Sequence, residues 1–152
     1  MTIEDRLHLL GIELPPPSPP AGNYLSCVID DGLVYVSGHG PIAGAEIIRG
    51  KVGGNLTLET GRLAARMTAL SILATLRSHL GDLDRIERIV KVLGMVNVAP
   101  GFVHMPAVID GCSELLVEIF GEAGRHARSA VGLAELPFGI AVEIELIARL
   151  RS

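Results

Sequence analysis

The alternation of apolar and polar positions is clearest from residue 142 onward. Val142, Ile144, Leu146 and Ala148 alternate with Glu143, Glu145, Ile147 and Arg149, the two-residue period of a strand with one buried face. Glu143 and Glu145 then project with Ile147 from the side opposite the aliphatic set. Upstream, Ser129–Leu133 is small and β-branched, and Leu136-Pro137-Phe138-Gly139 separates the two runs, because proline lacks a ladder donor and glycine tolerates turn dihedrals. The two runs predict a hairpin across this break. Arg128 opens its first strand and can fall on one face with Glu143. The register stays open, since a slip of one residue exchanges the faces.

Thr2-x-x-Asp5 resembles a capping box, with Ile3, Leu7 and Leu10 at helical spacing behind it and Gly11 as the stop. Leu14–Pro20 holds five prolines in seven positions and is expected as an extended arm on its own domain or on a neighbouring subunit. Tyr24–Ile29 and Leu33–Ser37 predict a hairpin around Asp30-Asp31-Gly32, followed by the tight segment Gly38-His39-Gly40-Pro41. Residues 42–56 are a Gly-rich turn region, and Gly50-x-x-Gly53-Gly54 lacks the Lys-Ser/Thr of a phosphate loop. Thr57–Leu80 is the longest helix, with Leu63, Met67, Leu70 and Ala74 as one stripe, widened by Ala65, Ala69, Ile72 and Leu76. Ile86–Val98 reads as a long strand. Residues 105–120 form a second helix on Val108, Cys112, Leu115, Leu116 and Ile119, with Asp110, Glu114 and Glu118 as a solvated stripe.

The order β-β-α-β-α-β-β predicts an α/β (α+β) fold, a mixed sheet with two main helices on one face. Residues 1–20 are expected as an N-terminal helix and Pro-rich arm, and 21–152 as a single domain. The second face of the sheet has no cover of its own, so self-association is expected, with clefts between subunits.

Composition narrows the classes. A chain of 152 residues can bury roughly 70% of its extended surface, and 49% hydrophobic residues exclude disorder as a description of the whole. With no Trp, two Tyr and three Phe, the core is aliphatic and stacking platforms for nucleic acid are scarce. A net charge of −4 gives no basic footprint for a polyanion. Cys27 and Cys112 match no metal spacing and read as buried, reduced thiols. The start Met1-Thr2-Ile3-Glu4-Asp5-Arg6 is acidic, and no apolar run reaches the roughly 20 residues that span a bilayer. A cytoplasmic protein without a membrane partner is expected.

Several motifs together resemble the reactive intermediate deaminase (Rid, YjgF-like) family, also labelled endoribonuclease L-PSP. They are Val34-Tyr35-Val36-Ser37-Gly38-His39, Ala127-Arg128-Ser129, Leu136-Pro137 and Val142-Glu143-Ile144-Glu145-x-Ile147-Ala148, over about residues 20–150. The Gly124–Ser129 run and the Pro-rich lead resemble a larger branch of that family. The resemblance implies a chorismate-mutase-like fold and a homotrimer with three interfacial clefts. It further implies hydrolysis of 2-imino or 2-aminoacrylate-type acids to 2-keto acids and ammonia, with no cofactor and no metal. Arg128 would hold the substrate carboxylate, Glu143 would orient or activate water, Tyr24 would flank the cleft and Gly38 would offer its backbone. His39 stands where Gln is common and Ala130 where many members have Cys. Asp110 is the nearest counterpart of the family's cleft Asn and would bring a carboxylate towards an anionic substrate. Two other readings stand beside the deaminase: a non-catalytic trimer that binds small carboxylates, and an endoribonuclease. The second rests on the family label and is opposed by the acidic charge and the few aromatics. His39 and His126 are further acid–base candidates, each set against a solvated or satisfied imidazole.

Overall fold

The computed structural model describes residues 1–152. In chain order the elements are α1 (Ile3–Leu9), β1 (Cys27–Asp30), β2 (Leu33–His39), β3 (Ile42–Ala43), β4 (Glu46–Ile47), α2 (Leu58–Leu80), β5 (Ile86–Asn97), α3 (Met105–Phe120), β6 (Ala127–Leu133) and β7 (Val142–Leu150). Helix α1 carries the capping box of Thr2 and Asp5. Thr57 caps α2 by accepting the Thr60 N–H at 3.1 Å, and Gly81 ends it at φ 79°. The β1–β2 turn uses Asp31 and Gly32 at φ 48° and 74°, as the Asp-Gly signal requires. Residues 42–47, expected as turn only, contain the two-residue strands β3 and β4.

Strands β1, β2, β7, β5 and β6 form one mixed sheet in that spatial order. Helices α2 and α3 cover one face. The aliphatic set of β7 (Val142, Ile144, Leu146, Ala148) packs beneath them with Val34, Val36, Ile89 and Val92, inside a core of 29 buried residues that also takes Leu7 of α1. The core face of α2 is rotated from the expected stripe. It centres on Ala65, Ala69, Ile72, Leu73 and Leu76, whereas Leu63 is 56% exposed. Small residues let α2 approach both the sheet and α3, and the arginines flanking that face are turned onto α3. Arg62 pairs with Glu114 at 2.8 Å and Arg66 with Glu118 at 3.5 Å. The acidic stripe of α3 is therefore an ion-paired seam rather than a freely solvated face.

The expected hairpin of the last two strands does not form. Strand β6 lies parallel to β5, with Arg128 opposite Val92, and β7 lies antiparallel to β5 on its other side. Strand β5 thus separates the two runs that are neighbours in sequence. A β5–α3–β6 crossover accounts for this, because parallel strands need a long connection and α3 supplies it. Pro137–Gly139 is a short 3₁₀ turn carrying the chain across β5.

Candidate functional site

Between Val36 and His39 strand β2 holds one residue more than β7 does between Leu146 and Ile144, a β-bulge at Ser37-Gly38. The bulge places Gly38 against β7, and a methyl group there would lie 2.9 Å from the carboxyl carbon of Glu143. Only glycine leaves that carboxylate its position. Around it opens a cleft of 290 Å³, walled by Tyr24, His39, Phe138 and Ile140, and by Ser18–Ala21 of the Pro-rich arm. The arm packs on its own domain and ends at the cleft, with the Tyr24 hydroxyl accepting the Ala21 N–H at 3.1 Å.

Glu143 sits half-buried on the sheet face away from the helices. Burial raises its pKa above the ordinary carboxylate value, and neighbouring Glu145 adds to this. No cation stands beside it among the groups that shift it. His39 is a wall rather than a free acid–base group. Its Nδ1 lies 2.6 Å from the Ser37 carbonyl and must donate to it, so Nε2, 2.8 Å from Thr75 Oγ1, accepts the Thr75 hydroxyl. Burial pushes the imidazole pKa down.

Arg128 lies elsewhere. Strand β6 is an edge strand, and Arg128 reaches over it towards α3. Its Nη1 donates to Asp110 Oδ1 at 2.7 Å and to Ser113 Oγ at 3.1 Å, and its Nη2 to the Pro106 carbonyl at 3.4 Å. Ala130, two residues on, packs partly buried against the core on that same side. Arg128 and Glu143 therefore occupy opposite faces of the sheet. Their strands lie about 10 Å apart, with β5 between. The expectation that they share a face in one chain is corrected, because it depended on the hairpin. Asp110 is also not an isolated repulsive carboxylate, since it is bound to Arg128.

Of the sequence candidates, Tyr24, Gly38, His39 and Glu143 come together at the bulge. Arg128, Asp110 and Ala130 gather at the β6–α3 edge. Sequence reasoning missed the arm residues of the cleft wall, and it missed Ser113, which sits half-buried on the Asp110 side of α3, beside its apolar stripe. Its one available signal was the i, i+3 spacing from Asp110. The cysteines are removed from the chemistry: both are buried and free, and burial pushes the Cys112 thiol up to about 12. No group of three or more His, Cys, Asp or Glu side chains is placed to hold a metal ion, and no helix is long and apolar enough to cross a membrane.

A mixed five-stranded sheet with two long helices on one face is the chorismate-mutase-like α+β arrangement. The chain belongs to the family described as "YjgF/chorismate mutase-like, putative endoribonuclease", which it matches over residues 4–150. It is 43% identical over 150 residues to Protein TCP17 of Trypanosoma cruzi, covering 96% of this chain and 92% of that one. Among solved structures it is similar to protein Atu1372 of Agrobacterium tumefaciens, with 41% identity, TM-score 0.90, and coverage of 98% and 92%. It is also similar to a "putative endoribonuclease" of Shewanella oneidensis, with 34% identity, TM-score 0.95, and coverage of 99% and 100%. RidA of the Antarctic bacterium Psychrobacter superposes at TM-score 0.62 with 26% identity, covering 89% and 94%. These relations support a general Rid-like role.

Proposed function

We propose that the chain is a deaminase of reactive 2-imino and 2-aminoacrylate-type acids, working as a homotrimer whose clefts join two copies. The observation that carries this reading is the division of the candidate groups. Glu143 faces the open side of the sheet with no cation beside it, and Arg128 crowns an edge strand on the other side. Only a second copy can bring one protomer's Arg128 edge to another's Glu143 cleft. The open face also favours a partner, since Tyr35, Leu93 and Ile147 lie on it among Lys91 and Glu145. In this arrangement Arg128 grips the substrate carboxylate and Glu143 takes a proton from water. A carboxylate with a raised pKa is the better base for that step. An enamine substrate first tautomerises to the imine. Hydroxide from that water then bonds to the C=N carbon while Glu143 returns the proton to nitrogen, giving the carbinolamine. Its O–H proton passes to the amine as the C–N bond breaks, releasing ammonia and the 2-keto acid.

The test is ammonia release from freshly generated 2-aminoacrylate. Arg128→Ala and Glu143→Gln chains are each expected to be inactive. Trimers reassembled from an equal mixture of the two should regain about a quarter of the wild-type rate, the random-mixing value for a site shared across a heterologous interface. Mixed trimers as inactive as their parents would sink the shared cleft.

A second reading has its own observation. The Arg128 guanidinium already holds the Asp110 carboxylate at 2.7 Å, so an incoming acid must compete with it. This favours a binding protein that takes a small carboxylate without turnover. It predicts a thermal shift with 2-keto acids, abolished in Arg128→Ala, and no ammonia from any imino acid.

A further inference from the structure

On the β6–α3 edge Ser113 and His126 stand beside Arg128, and the deaminase reading uses neither of these two. His126 Nδ1 lies 2.7 Å from the Gly124 carbonyl oxygen, which can only accept. The proton is therefore on Nδ1, and Nε2 presents a lone pair. That lone pair lies 2.9 Å from Ser113 Oγ, so the serine hydroxyl donates to it. On its other side Ser113 Oγ accepts from Arg128 Nη1 at 3.1 Å. The backbone fixes this geometry. A Cβ at Gly124 would fall 2.2 Å from the Leu116 carbonyl oxygen, so glycine alone lets the 3₁₀ turn after α3 come close enough to set the imidazole over Ser113. The set opens on a depression of 230 Å³ lined by Ser113, Val117, Arg125, His126 and Arg128.

We infer that Ser113 and His126 form a nucleophile–base dyad for acyl transfer, oriented by the Gly124 carbonyl and backed by the Arg128 guanidinium. Two relations of such chemistry are present, a hydroxyl on the base and the base held by a third group, and the Arg128 guanidinium beside Oγ is the donor nearest to the substrate carbonyl oxygen, which becomes the oxyanion. Burial and the nearby Arg128 charge both lower the His126 pKa, which keeps the imidazole neutral and able to take a proton. Two guanidiniums line the depression, Arg128 paired with Asp110 at 2.7 Å and Arg125 with Glu122 at 3.5 Å, so the fitting substrates are small esters or thioesters whose anionic group competes with these carboxylates.

In the first step Oγ bonds to the acyl carbon while its proton moves to His126 Nε2. The acyl–oxygen or acyl–sulfur bond then breaks, and the leaving alcohol or thiol takes that proton. Water attacks the acyl-serine by the same route, releasing the acid and restoring Ser113. This activity goes beyond the deaminase reading and does not depend on it. A chain that releases no ammonia can still acylate Ser113.

The experiment is covalent labelling of the full chain with diisopropyl fluorophosphate, in which an Oγ–P bond forms, the P–F bond breaks and fluoride leaves. Intact mass and peptide mapping should show one diisopropylphosphoryl group, on Ser113. Ser113→Ala should give no adduct. His126→Gln, which keeps a side chain able to bond the Ser113 hydroxyl, should label at least ~10²-fold more slowly, the loss expected for removing a general base. Circular dichroism and gel filtration checked on both variants exclude misfolding as the cause. A wild-type chain left unmodified at millimolar probe overturns the dyad. So does labelling elsewhere that survives Ser113→Ala, or wild-type labelling of His126→Gln.

Discussion

The two polar regions of this molecule are built in opposite ways. The Glu143 cleft is a charge without a partner. Its carboxylate is half-buried, pushed towards the neutral form by burial and by Glu145, and walled by Gly38, Tyr24 and a neutral His39. The Arg128 edge is a charge with every near partner supplied: Asp110, Ser113 and the Pro106 carbonyl. The first region is strained towards taking up a proton or a cationic neighbour. The second is satisfied within one chain and holds its geometry without a ligand. An unpaired buried charge costs stability, and a hydrogen-bonded pair offsets its own desolvation. The difference marks the Glu143 cleft as the side with an unpaired charge and the Arg128 edge as the side whose charge is already held in place.

The comparison is broken most directly at Glu143. Glu143→Gln should lower ammonia release by ~10²–10⁴-fold, the range for a general base, with no fall in melting temperature. A fall in stability would mean that the carboxylate is structural. Gly38→Ala comes next. The added methyl meets the carboxyl carbon and displaces it, and a shift of about 1 Å at a reacting group costs on the order of 10²-fold in kcat. Unchanged kcat would show that the bulge does not position Glu143. Asp110→Asn should sharpen the contrast from the other side. It frees the guanidinium and should tighten binding of small 2-keto acids about tenfold, roughly 1.4 kcal/mol in isothermal titration. Weaker binding would show that Asp110 itself holds the ligand.

The smallest effect is in stability against pH. The Glu143 pKa is raised in the folded chain above its ordinary value of 4.5, so the native state binds the extra proton. Its carboxylate costs stability above the folded pKa, and that cost fades as pH falls towards the unfolded value. The melting temperature of Glu143→Gln should therefore exceed that of the wild type at pH 7 and converge with it below about pH 4.5. A constant difference across that range would remove burial as the cause.

Features set by near neighbours in the chain were legible. The capping box of Thr2 and Asp5, the Asp31-Gly32 turn, the span of α2, and the inward alternation of β7 all follow from residues a few positions apart. The strand order was not legible. Nothing local in Ser129–Leu133 says that its partner is Met95 and its neighbours rather than the run that follows it, since side-chain alternation is the same for either pairing. The error in placing Arg128 with Glu143 came from that one pairing. Asp110 was visible as a departure from the family's cleft Asn, but its ion pair with Arg128 depends on the distance between α3 and β6. Ser113 was hidden because a lone serine between the buried Cys112 and the exposed Glu114 carries no local sign of the His126 and Arg128 that it meets beyond the end of α3.

Strand β7 is made after the other four strands of its sheet, yet it is the middle one, joined to β2 on one side and to β5 on the other. During synthesis the β1–β2 pair and the β5–α3–β6 unit exist for some time as two pieces, each with an open hydrogen-bonding edge. They become one sheet only when residues 142–150 insert between them. Such closure depends on contacts more than a hundred residues apart, which slows folding and leaves the edges exposed to other chains meanwhile. A chain lacking this strand would be sticky rather than merely incomplete, so the quality of the folded sheet depends on how quickly its central strand arrives.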